Sequence, residues 1–445
     1  MAPGEHHVIR PFYSMVMRGV QPFLRRKLRR RGLAEPGYLQ HVDERFGVYR
    51  ARSDAGRIWI HAVSLGETRT AAILLEQLRQ QQPDVRILLT HGTATGRAEG
   101  ERLLRQGDAQ AWLPWDTPQA VRRFLHHFRP RLGVLMETEV WPNLIAGCVE
   151  HGVPLVLANA RLSDNSMRNA LRFARLARPA YGALAAAWAQ TEDDARRLQR
   201  VGAAVKGVFG NLKFDATPHA GQLAQGRGWR EQSGRPVVMF ASSREGEEAD
   251  LFRVLQESRE SARAGVAQPS FGPTALEVQW LVVPRHPQRF DAVAALAQQR
   301  GLSVSRRSSW KGEPQAADVW LGDSLGEMAL YYGMADAALL GGSFEPLGGQ
   351  NLIEAAASGC PVVMGPHTFN FADAAQLAHQ AGAALRVATL EEAVHTAVAR
   401  AGDPARHREV SAAAVAFAAA HRGAAQRTAQ ALLALAARAP VPRGG

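Results

Sequence analysis

A regular pattern begins near residue 57, where short apolar runs alternate with segments whose apolar residues recur at helical spacing. Such runs are typical of strands buried on both faces, and the amphipathic segments between them are typical of crossover helices. Helices are predicted over residues 68–80 and around residues 98–104. The predicted strands are 58–63, 85–90, 132–136, 155–158 and 187–190. The pattern predicts a doubly wound parallel domain over residues 46–214.

The pattern breaks over residues 215–235, a polar and glycine-rich stretch that we predict to be an interdomain connection. Apolar runs then resume, and residues 236–438 are predicted to form a second Rossmann-like domain that ends in alanine-rich helices over 411–437, before a tail at 439–445. Its predicted strands are 237–240, 278–283, 337–340 and 361–364. Two such α/β domains are expected to face a cleft, where ligands meet the carboxyl ends of both sheets.

Residues 1–45 combine an apolar patch with a cationic cluster. Arg10, Arg18 and Gln21 interrupt the patch, so it falls short of the roughly 20 apolar residues of a spanning helix. No clean apolar run precedes a small-residue cleavage site, and no secretory signal is predicted. We expect a helix that lies on the membrane, where each basic residue contributes about 1 kcal/mol of attraction to anionic lipid. A helix packed on its own domain with a solvated basic end is the alternative. The cluster comprises Arg25, Arg26, Lys27, Arg29, Arg30 and Arg31.

Composition adds limits on compartment, partners and cofactors. The 445 residues carry a net charge of +12, which favours polyanionic partners and leaves nucleic acid, phospholipid and phosphorylated sugars open. Cys148 and Cys360 lack metal-site or disulfide spacing, which indicates buried, reduced thiols in a cytoplasmic protein. The sequence contains neither the dinucleotide fingerprint nor the Walker lysine pattern, and the acidic residues 192–194 fall in a predicted helix. We therefore expect no metal and no other cofactor.

Glu67 is the first candidate for chemistry, because it opens the helix that follows the first predicted strand and the turn 64–66. A carboxylate there faces unpaired backbone N–H groups and the positive end of the helix dipole, so it should stay ionised at neutral pH. An ionised carboxylate in this position can act as a general base. A carboxylate that only stabilises the helix start is the alternative.

A second candidate segment, residues 137–143, follows the strand predicted over 132–136. It brings Glu137, Glu139 and Trp141 to one strand end, and two acids beside a tryptophan are unusual for a solvated loop. A capped helix start with the tryptophan as a packing anchor is the alternative. Near the end of this domain a single lysine, within residues 210–214, is expected at the cleft, although most such lysines are surface residues.

Three turns of the second domain are candidate anion sites. Residues 241–247 could offer backbone amides and hydroxyls to an anion. Residues 284–287 hold Arg285 between prolines, which suits a phosphate, with a rigid turn of exposed charge as the alternative. The glycines of residues 341–349 would let a phosphate approach the backbone, and Glu354, one helical turn later, could accept both hydroxyls of a ribose. We interpret this third combination as a nucleotide-sugar site.

Together these segments resemble the 3-deoxy-D-manno-octulosonic acid (Kdo) transferases, which are glycosyltransferases with two Rossmann-like domains, the GT-B type. The likeness extends from residues 44–47 to about Gly382. The blocks that carry it are His61-Ala62-Val63-Ser64-Leu65-Gly66-Glu67, Met136-Glu137-Thr138-Glu139-Val140-Trp141-Pro142-Asn143, Gly210-Asn211-Leu212-Lys213, Val283-Pro284-Arg285-His286-Pro287, and Gly341-Gly342-Ser343 through Asn351-Leu352-Ile353-Glu354.

The resemblance implies transfer of Kdo from CMP-Kdo to lipid A precursor, with inversion, release of CMP and no metal. It implies that Glu67 is the general base for the acceptor hydroxyl and that Glu137 and Lys213 assist the transition state. It also implies a place in lipopolysaccharide inner-core synthesis at the cytoplasmic face of the bacterial inner membrane, with no nucleic acid partner. The residues implied to line the CMP pocket are Pro284, Arg285, Leu325, Gly326, Glu327, Asn351, Leu352, Ile353 and Glu354.

The chain departs from the family pattern in two ways. Arg244 stands where many relatives carry histidine, so contacts to the sugar acid of the donor are expected to differ. The amino-terminal segment is also less apolar than the spanning helix of many relatives. A GT-B transferase for a UDP-sugar shares the glycine-rich turn and the ribose acid, and it is the alternative among enzymes. A non-catalytic lipid- or nucleic-acid-binding protein would explain the charge but would leave Glu67 and Glu137 without a purpose.

Overall fold

The computed structural model describes residues 6–50, 53–264 and 274–439. The chain divides into two compact units: unit 1 comprises Met1–Asp215 with Arg422–Gly445, and unit 2 comprises Ala216–His421. Within the described residues, each unit contains a seven-stranded parallel sheet interspersed with helices. The predicted fold class, two doubly wound α/β domains, is therefore confirmed.

Short buried strands form the sheet of unit 1. They are β1 (Ile58–His61), β2 (Ile87–His91), β3 (Ala109–Trp112), β4 (Leu132–Met136), β5 (Leu155–Ala160), β6 (Ala186–Ala189) and β7 (Val205–Val208). Their order is β3-β2-β1-β4-β5-β6-β7, and Ile58 of β1 is in register with Ile87 on one side and Leu132 on the other. Chain order reverses between β1 and β4, so a ligand crevice is expected outside the carboxyl ends of these two strands.

Helices of unit 1 begin at well-capped positions. Ser64, Thr93 and Thr117 each accept a hydrogen bond from a backbone N–H of the helix that follows, which satisfies a donor that the helix itself cannot pair. The described helices are α1 (His6–Ala34), α2 (Leu65–Gln81), α3 (Ala94–Glu101), α4 (Pro118–Phe128), α5 (Pro142–Glu150), α6 (Asp164–Arg172), α7 (Ala174–Gly182), α8 (Glu192–Arg200) and, from the end of the chain, α17 (Ala424–Arg438).

Unit 2 repeats the plan. Its strands are β8 (Val237–Ser243), β9 (Gln279–Pro284), β10 (Val304–Arg306), β11 (Val319–Leu321), β12 (Ala337–Leu340), β13 (Val362–Met364) and β14 (Ala384–Arg386), in the order β10-β11-β9-β8-β12-β13-β14. Its described helices are α9 (Ala220–Gln232), α10 (Glu247–Arg263), α11 (Phe290–Gln299), α12 (Met328–Met334), α13 (Leu352–Ala357), α14 (Ala372–Gln380), α15 (Leu390–Ala401) and α16 (Pro404–Ala420). Here the order reverses between β8 and β12, which marks the corresponding crevice.

Both faces of the sheet in unit 1 are buried. Trp59 of β1 belongs to one hydrophobic core, whereas Ile58 and Ile60 belong to the core on the other side. This two-sided burial explains why the sequence shows continuous apolar runs instead of alternation. Cys148 and Cys360 are also buried and are free thiols, as predicted.

The stretch predicted as an interdomain connection, residues 215–235, contains α9, which packs against α12 of the same unit. A Cβ atom at Gly226 would lie 2.1 Å from the Leu330 carbonyl oxygen, and one at Gly333 would lie 2.6 Å from that of Leu223. The glycines therefore allow two helices to approach closely, and they do not mark a flexible linker. This part of the domain prediction is corrected to a helix of unit 2.

The last helix also differs from the prediction, which assigned all of residues 236–438 to the second domain. α17 belongs to unit 1 and packs against α2. The carboxylate of Asp215 accepts hydrogen bonds from the N–H of Gly423 at 2.5 Å and from that of Ala425 at 2.8 Å, which fixes the start of this helix. Its small apolar side chains, among them Ala425, complete one core of unit 1.

α1 packs along unit 1 and also leaves apolar side chains in solvent. Tyr13 donates its hydroxyl to Asp116 at 2.9 Å, and Ser14 donates to Asn143 at 2.8 Å, so the helix is docked by specific contacts. Its exposed large apolar side chains are Phe12 (62 %), Met15 (61 %), Val16 (44 %) and Phe23 (71 %). Among the described residues, none of the helices has the length and apolarity needed to cross a membrane.

Candidate active site

The crevice of unit 1 collects acidic residues from two separate segments. Glu67 lies in the first turn of α2, shortly after β1, and Glu137 directly follows β4. The carboxylates of Glu137 and Glu139 both repel that of Glu67. The topology therefore brings the predicted base and the predicted acidic segment to the same edge of one sheet.

Hydrogen bonds hold Glu67 in a defined position. Its carboxylate accepts one from the Val63 N–H at 2.9 Å and one from the Ser64 hydroxyl at 3.1 Å. In return, the Glu67 N–H donates to Ser64 Oγ at 3.3 Å. These reciprocal contacts are those of a helix cap, and they also fix the orientation that a general base needs.

The protonation of Glu67 differs from the expectation that it stays ionised at neutral pH. Burial raises the pKa of its carboxyl to about 7, and repulsion from Glu137 and Glu139 adds to the rise. The two hydrogen bonds that the carboxylate accepts lower the pKa but do not offset burial. A carboxyl that changes its charge near pH 7 is well matched to general-base catalysis at that pH.

Glu137 has an unusual backbone and a cationic neighbour. Its φ of 59° lies in the left-handed region, which non-glycine residues rarely occupy and which often marks functional sites. Lys213 Nζ lies 3.5 Å from Glu137 Oε1, although the residues are 76 positions apart. The preceding residue, Leu212, donates its N–H to Asn159 Oδ1 at 3.0 Å, which anchors the turn that carries the lysine. The structure thus brings together the two residues predicted to assist the transition state.

Glu139 completes the acidic group. It accepts a hydrogen bond from Trp141 Nε1 at 2.7 Å, and burial raises the pKa of its carboxyl. Trp141 itself is 36 % exposed, so its ring is only partly packed. The segment after β4 therefore presents its polar side chains at the crevice.

In unit 2 the corresponding crevice collects basic and amide side chains. Arg285 directly follows Pro284, the last residue of β9, and its N–H donates to the Ser243 carbonyl at 3.0 Å. Its guanidinium Nε donates to Gln350 Oε1 at 3.1 Å. Arg244 follows β8, and its Nε lies 3.1 Å from Glu245 Oε2. Two arginines thus follow neighbouring strands, β8 and β9, on one side of the reversal of strand order.

The glycine-rich turn after β12 has two of its backbone amides already paired inside the protein. The Glu247 carboxylate, 1 % exposed, accepts hydrogen bonds from the N–H of Gly342 at 2.8 Å and of Phe344 at 3.3 Å. It also accepts one from the Arg244 N–H at 2.9 Å, in the other turn proposed for an anion. These three amides are therefore already used inside the protein, and a bound phosphate would have to rely on other groups.

The remaining predicted pocket residues differ in what they can offer. Asn351 caps α13 by accepting the Ile353 N–H at 3.2 Å, and Glu354 lies in the first turn of that helix. The side chains of Leu352 and Ile353 are buried in the core, so only their backbone can meet a ligand.

Residues 325–327 precede α12 and form the last predicted part of the pocket. Leu325 is 71 % exposed, and the Gly326 carbonyl accepts a hydrogen bond from Gln222 Nε2 at 3.0 Å. Glu327 is paired with Arg307 at 2.8 Å. Of these three residues, only Leu325 could therefore meet a ligand without first giving up an interaction within the protein.

Comparison with known proteins identifies the family. A sequence profile described as 3-deoxy-D-manno-octulosonic-acid transferase (kdotransferase) matches residues 40–216. The 3-deoxy-D-manno-octulosonic acid transferase of Bordetella pertussis is 46 % identical over 433 residues, which cover 95 % of this chain and 98 % of that protein. The chain belongs to the Kdo transferase family. The Haemophilus influenzae transferase is 32 % identical over 87 % of this chain and 89 % of its own length.

Solved structures agree with a two-domain GT-B-like fold for this Kdo transferase. A putative UDP-N-acetylglucosamine 2-epimerase from Listeria monocytogenes superposes with a TM-score of 0.55, covering 88 % of this chain and 100 % of that one, at 12 % identity. Such a low identity shows a shared fold and nothing about the substrate. Family membership makes the chain a glycosyltransferase.

Sequence reasoning missed a buried network in unit 2 of this transferase. Glu248 is fully buried and pairs with Arg289 through two hydrogen bonds, at 2.7 and 3.0 Å. Glu248 also accepts a hydrogen bond from the Ser243 hydroxyl at 2.8 Å, which fixes the end of β8 and the turn that follows it. In a sequence, adjacent glutamates at the start of a helix indicate that they stabilise the helix start. Because this use is common, the sequence did not indicate that Glu247 and Glu248 shape the crevice.

Proposed function

We propose that this chain transfers Kdo from CMP-Kdo to a hydroxyl group of a lipid A precursor, lipid IVA, with inversion and release of CMP. Membership of the Kdo transferase family supports Kdo as the transferred sugar and a role in lipopolysaccharide biosynthesis. The observation that carries the chemistry is the Glu67 carboxyl, held by two hydrogen bonds at a reversal of strand order and with a pKa of about 7.

In the proposed reaction, the Glu67 carboxylate takes the proton of the acceptor hydroxyl. The acceptor oxygen forms a bond to the anomeric carbon of Kdo, and the bond between that carbon and the phosphate oxygen of CMP breaks. CMP leaves with the bonding electrons, and attack from the opposite side inverts the anomeric centre. Lys213, held 3.5 Å from Glu137, supplies a positive charge for the negative charge that develops in the transition state.

Unit 2 supplies the proposed donor pocket. The Arg285 guanidinium would form charge-assisted hydrogen bonds to the phosphate of CMP, and its bond to Gln350 orients it for this. Arg244 is a second cation after the adjacent strand, in place of the histidine of many relatives. Glu354 and Asn351, at the start of α13, would form hydrogen bonds with the ribose and the base of CMP, as acceptors and donors.

We also propose that the enzyme binds the cytoplasmic face of the inner membrane through α1. The apolar side chains of Phe12, Met15 and Phe23 are exposed on this helix, although Tyr13 and other contacts dock it on unit 1. The apolar groove beside them is completed by the junction of α6 and α7, where Phe173 is 67 % exposed. Exposed apolar side chains next to six basic residues suit an anionic bilayer surface.

Mass spectrometry of the products tests the proposal. Purified full-length enzyme is incubated with CMP-Kdo and tetra-acylated lipid A precursor, and free CMP is measured in parallel. We expect the acceptor to gain the mass of one or more Kdo residues, with one CMP released for each, and we expect NMR to show opposite anomeric configurations in donor and product. Transfer only from a UDP-sugar, or no transfer to this acceptor, would contradict the proposal.

A further inference from the structure

Unit 1 contains a cavity of about 360 Å³ that the proposed catalytic steps do not use. α1 forms one wall with Leu24 and Leu28, and the loops after the strands form the other with Leu113, Trp115 and Leu144. Val63, whose N–H donates to Glu67, also lines it, so the cavity opens beside the proposed base. Its lining is largely apolar.

One arginine in this cavity is buried with unmet hydrogen-bonding capacity. Arg45 is 3 % exposed, and its Nη2 donates to the Gly92 carbonyl at 3.0 Å. Its guanidinium carbon lies 3.9 Å from the centre of the Trp112 ring, which holds the group in place. Within the described residues, Arg45 Nε and Trp115 Nε1 are buried donors with no hydrogen-bond partner, and no carboxylate forms an ion pair with Arg45. Glu44 attracts Arg45 but is paired with Arg97 at 2.8 Å, so no carboxylate of the described residues is hydrogen-bonded to this buried guanidinium, and the cavity suits an anion that comes from outside the chain.

Two further cations face the same space. Lys27 and Arg31 of α1 line the cavity together with Arg45. Burial lowers the pKa of Arg45 to about 10, and repulsion from Arg97 and from Arg31 adds to the lowering. Three convergent cations suit a group with two negative charges better than one with a single charge.

The acidic residues that line the cavity are already satisfied. Asp116 accepts hydrogen bonds from the N–H groups of Asn143, at 3.1 Å, and Leu144, at 2.7 Å, and from the Tyr13 hydroxyl. Glu139 accepts the Trp141 indole N–H at 2.7 Å. The groups that lack partners are therefore donors, and the missing ligand is an acceptor.

From this geometry we infer that the cavity binds the phosphate monoester of an anionic amphiphile, with Arg45, Arg31 and Lys27 on the phosphate and the apolar wall against the adjoining chain. The inference rests on the proposed function, because it makes this cavity the place where the phosphorylated acceptor is held beside Glu67. The phosphate would provide the acceptors that Arg45 Nε and Trp115 Nε1 lack.

Calorimetric titration with simple amphiphiles tests the inference without any sugar transfer. Dodecyl phosphate, dodecanoate and dodecyl glucoside are compared below their micelle concentrations, since they share a chain and differ in the head group. We expect dodecyl phosphate to bind about ten-fold or more tightly than the other two. Equal binding of the neutral glucoside, tighter binding of the carboxylate, or no binding of the phosphate would overturn the inference.

Variants locate the binding. Arg31→Ala and Lys27→Ala remove exposed side chains and should each weaken dodecyl phosphate binding several-fold, whereas Arg45→Met should weaken it about ten-fold or more. Arg18→Ala, an exposed residue of the same helix outside the cavity, should leave the affinity unchanged. If Arg45→Met does not fold, the two α1 variants decide, and unchanged affinity in both rejects the site.

Kinetics separate this inference from the proposed function. In Arg31→Ala the acceptor KM should rise while the CMP-Kdo KM and kcat stay near the parent values, and dephosphorylated acceptor should show no difference between variant and parent. A protein that binds dodecyl phosphate through Arg45 but transfers no Kdo would contradict the proposed function alone. If the protein transfers Kdo and its acceptor KM does not change when Arg31 or Lys27 is replaced, only the inference about the cavity is contradicted.

Discussion

Replacement of Glu67 by glutamine is the most direct test of the chemistry. Glutamine keeps the size of the side chain and an oxygen that can accept the Val63 N–H, which now donates at 2.9 Å, so the start of α2 is preserved. Basicity is lost. A positioned general base contributes about 10²- to 10⁴-fold to rate, and we expect kcat to fall by that factor while CMP affinity stays unchanged.

The pH dependence gives a second, independent signature. A base must be deprotonated to act, and the pKa of Glu67 is about 7, so wild-type kcat/KM should rise about ten-fold per pH unit below pH 7 and level off above it. Glu67→Gln should lose this acidic limb. An acidic limb that is unchanged in the variant would belong to another group.

Stability provides a third signature with a definite sign. The folded-state pKa of Glu67 is raised from 4.5 to about 7, so the native state holds a proton that the unfolded chain releases. The contribution is present below about pH 4.5 and is lost as the pH rises through 7. Glu67→Gln removes this dependence, and relative to wild type it should gain on the order of 3 kcal/mol between pH 4.5 and pH 9. Denaturant unfolding at both pH values measures the difference.

A matched control is Glu76→Gln, which makes the same change at an exposed position of the same helix. It should alter neither kcat, nor the pH profile, nor the stability difference by a measurable amount. If Glu67→Gln keeps more than about a tenth of wild-type turnover with chemistry rate-limiting, Glu67 is only a helix cap, and Glu137 becomes the next candidate for the base.

Four other variants have expected outcomes. Arg285→Ala and Glu354→Ala should each weaken CMP binding about ten- to a hundred-fold in calorimetry, because each removes a charged hydrogen bond of roughly 1.5 to 3 kcal/mol; unchanged affinity in both would take them out of the pocket. The double variant Phe12→Ser, Phe23→Ser should release the enzyme from anionic vesicles in a sedimentation assay, and continued full binding would move the membrane contact elsewhere. Glu247→Ala should cost several kcal/mol of unfolding free energy, since it leaves three partly or fully buried amides without an acceptor, and a loss under 1 kcal/mol would show that water replaces the carboxylate.

The central strands of both sheets were predictable because they are buried on both faces. β4 and β12 match the predicted runs residue for residue, and their neighbours differ only by a few residues at the ends. Strands nearer the sheet edges, such as β3, β7 and β14, gave no prediction. They are three or four residues long and only partly buried, with polar residues such as Lys206 and Gln110, so no apolar run identifies them.

The domain boundaries differ from the prediction for another reason, which is that they depend on long-range packing. Glycine has two uses, conformational freedom and close approach, and sequence alone does not distinguish them. In α9, Gly226 serves close approach, whereas the pattern suggested a flexible connection. The alanine-rich α17 likewise carries no mark of which core it covers, because its packing depends on Asp215 and the surface of α2.

The candidate site was also only partly predictable from the sequence. Strand ends pointed to Glu67 and Glu137 in unit 1 and to Arg285 in unit 2, because the topology of a doubly wound sheet fixes which edge of each sheet carries such residues. The glycine-rich turn after β12 was a poorer indicator of an anion site, because two of its amides donate inward to Glu247.

That inward carboxylate changes what the donor pocket must use. A buried negative charge behind the turn repels a phosphate, so amide donors alone would be a poor anion site here. The guanidinium groups of Arg244 and Arg285, which follow the neighbouring strands β8 and β9, supply the compensating charge. Phosphate recognition in unit 2 should therefore depend on side-chain cations, and CMP affinity should fall steeply with added salt, which a site built only from buried amides would not show.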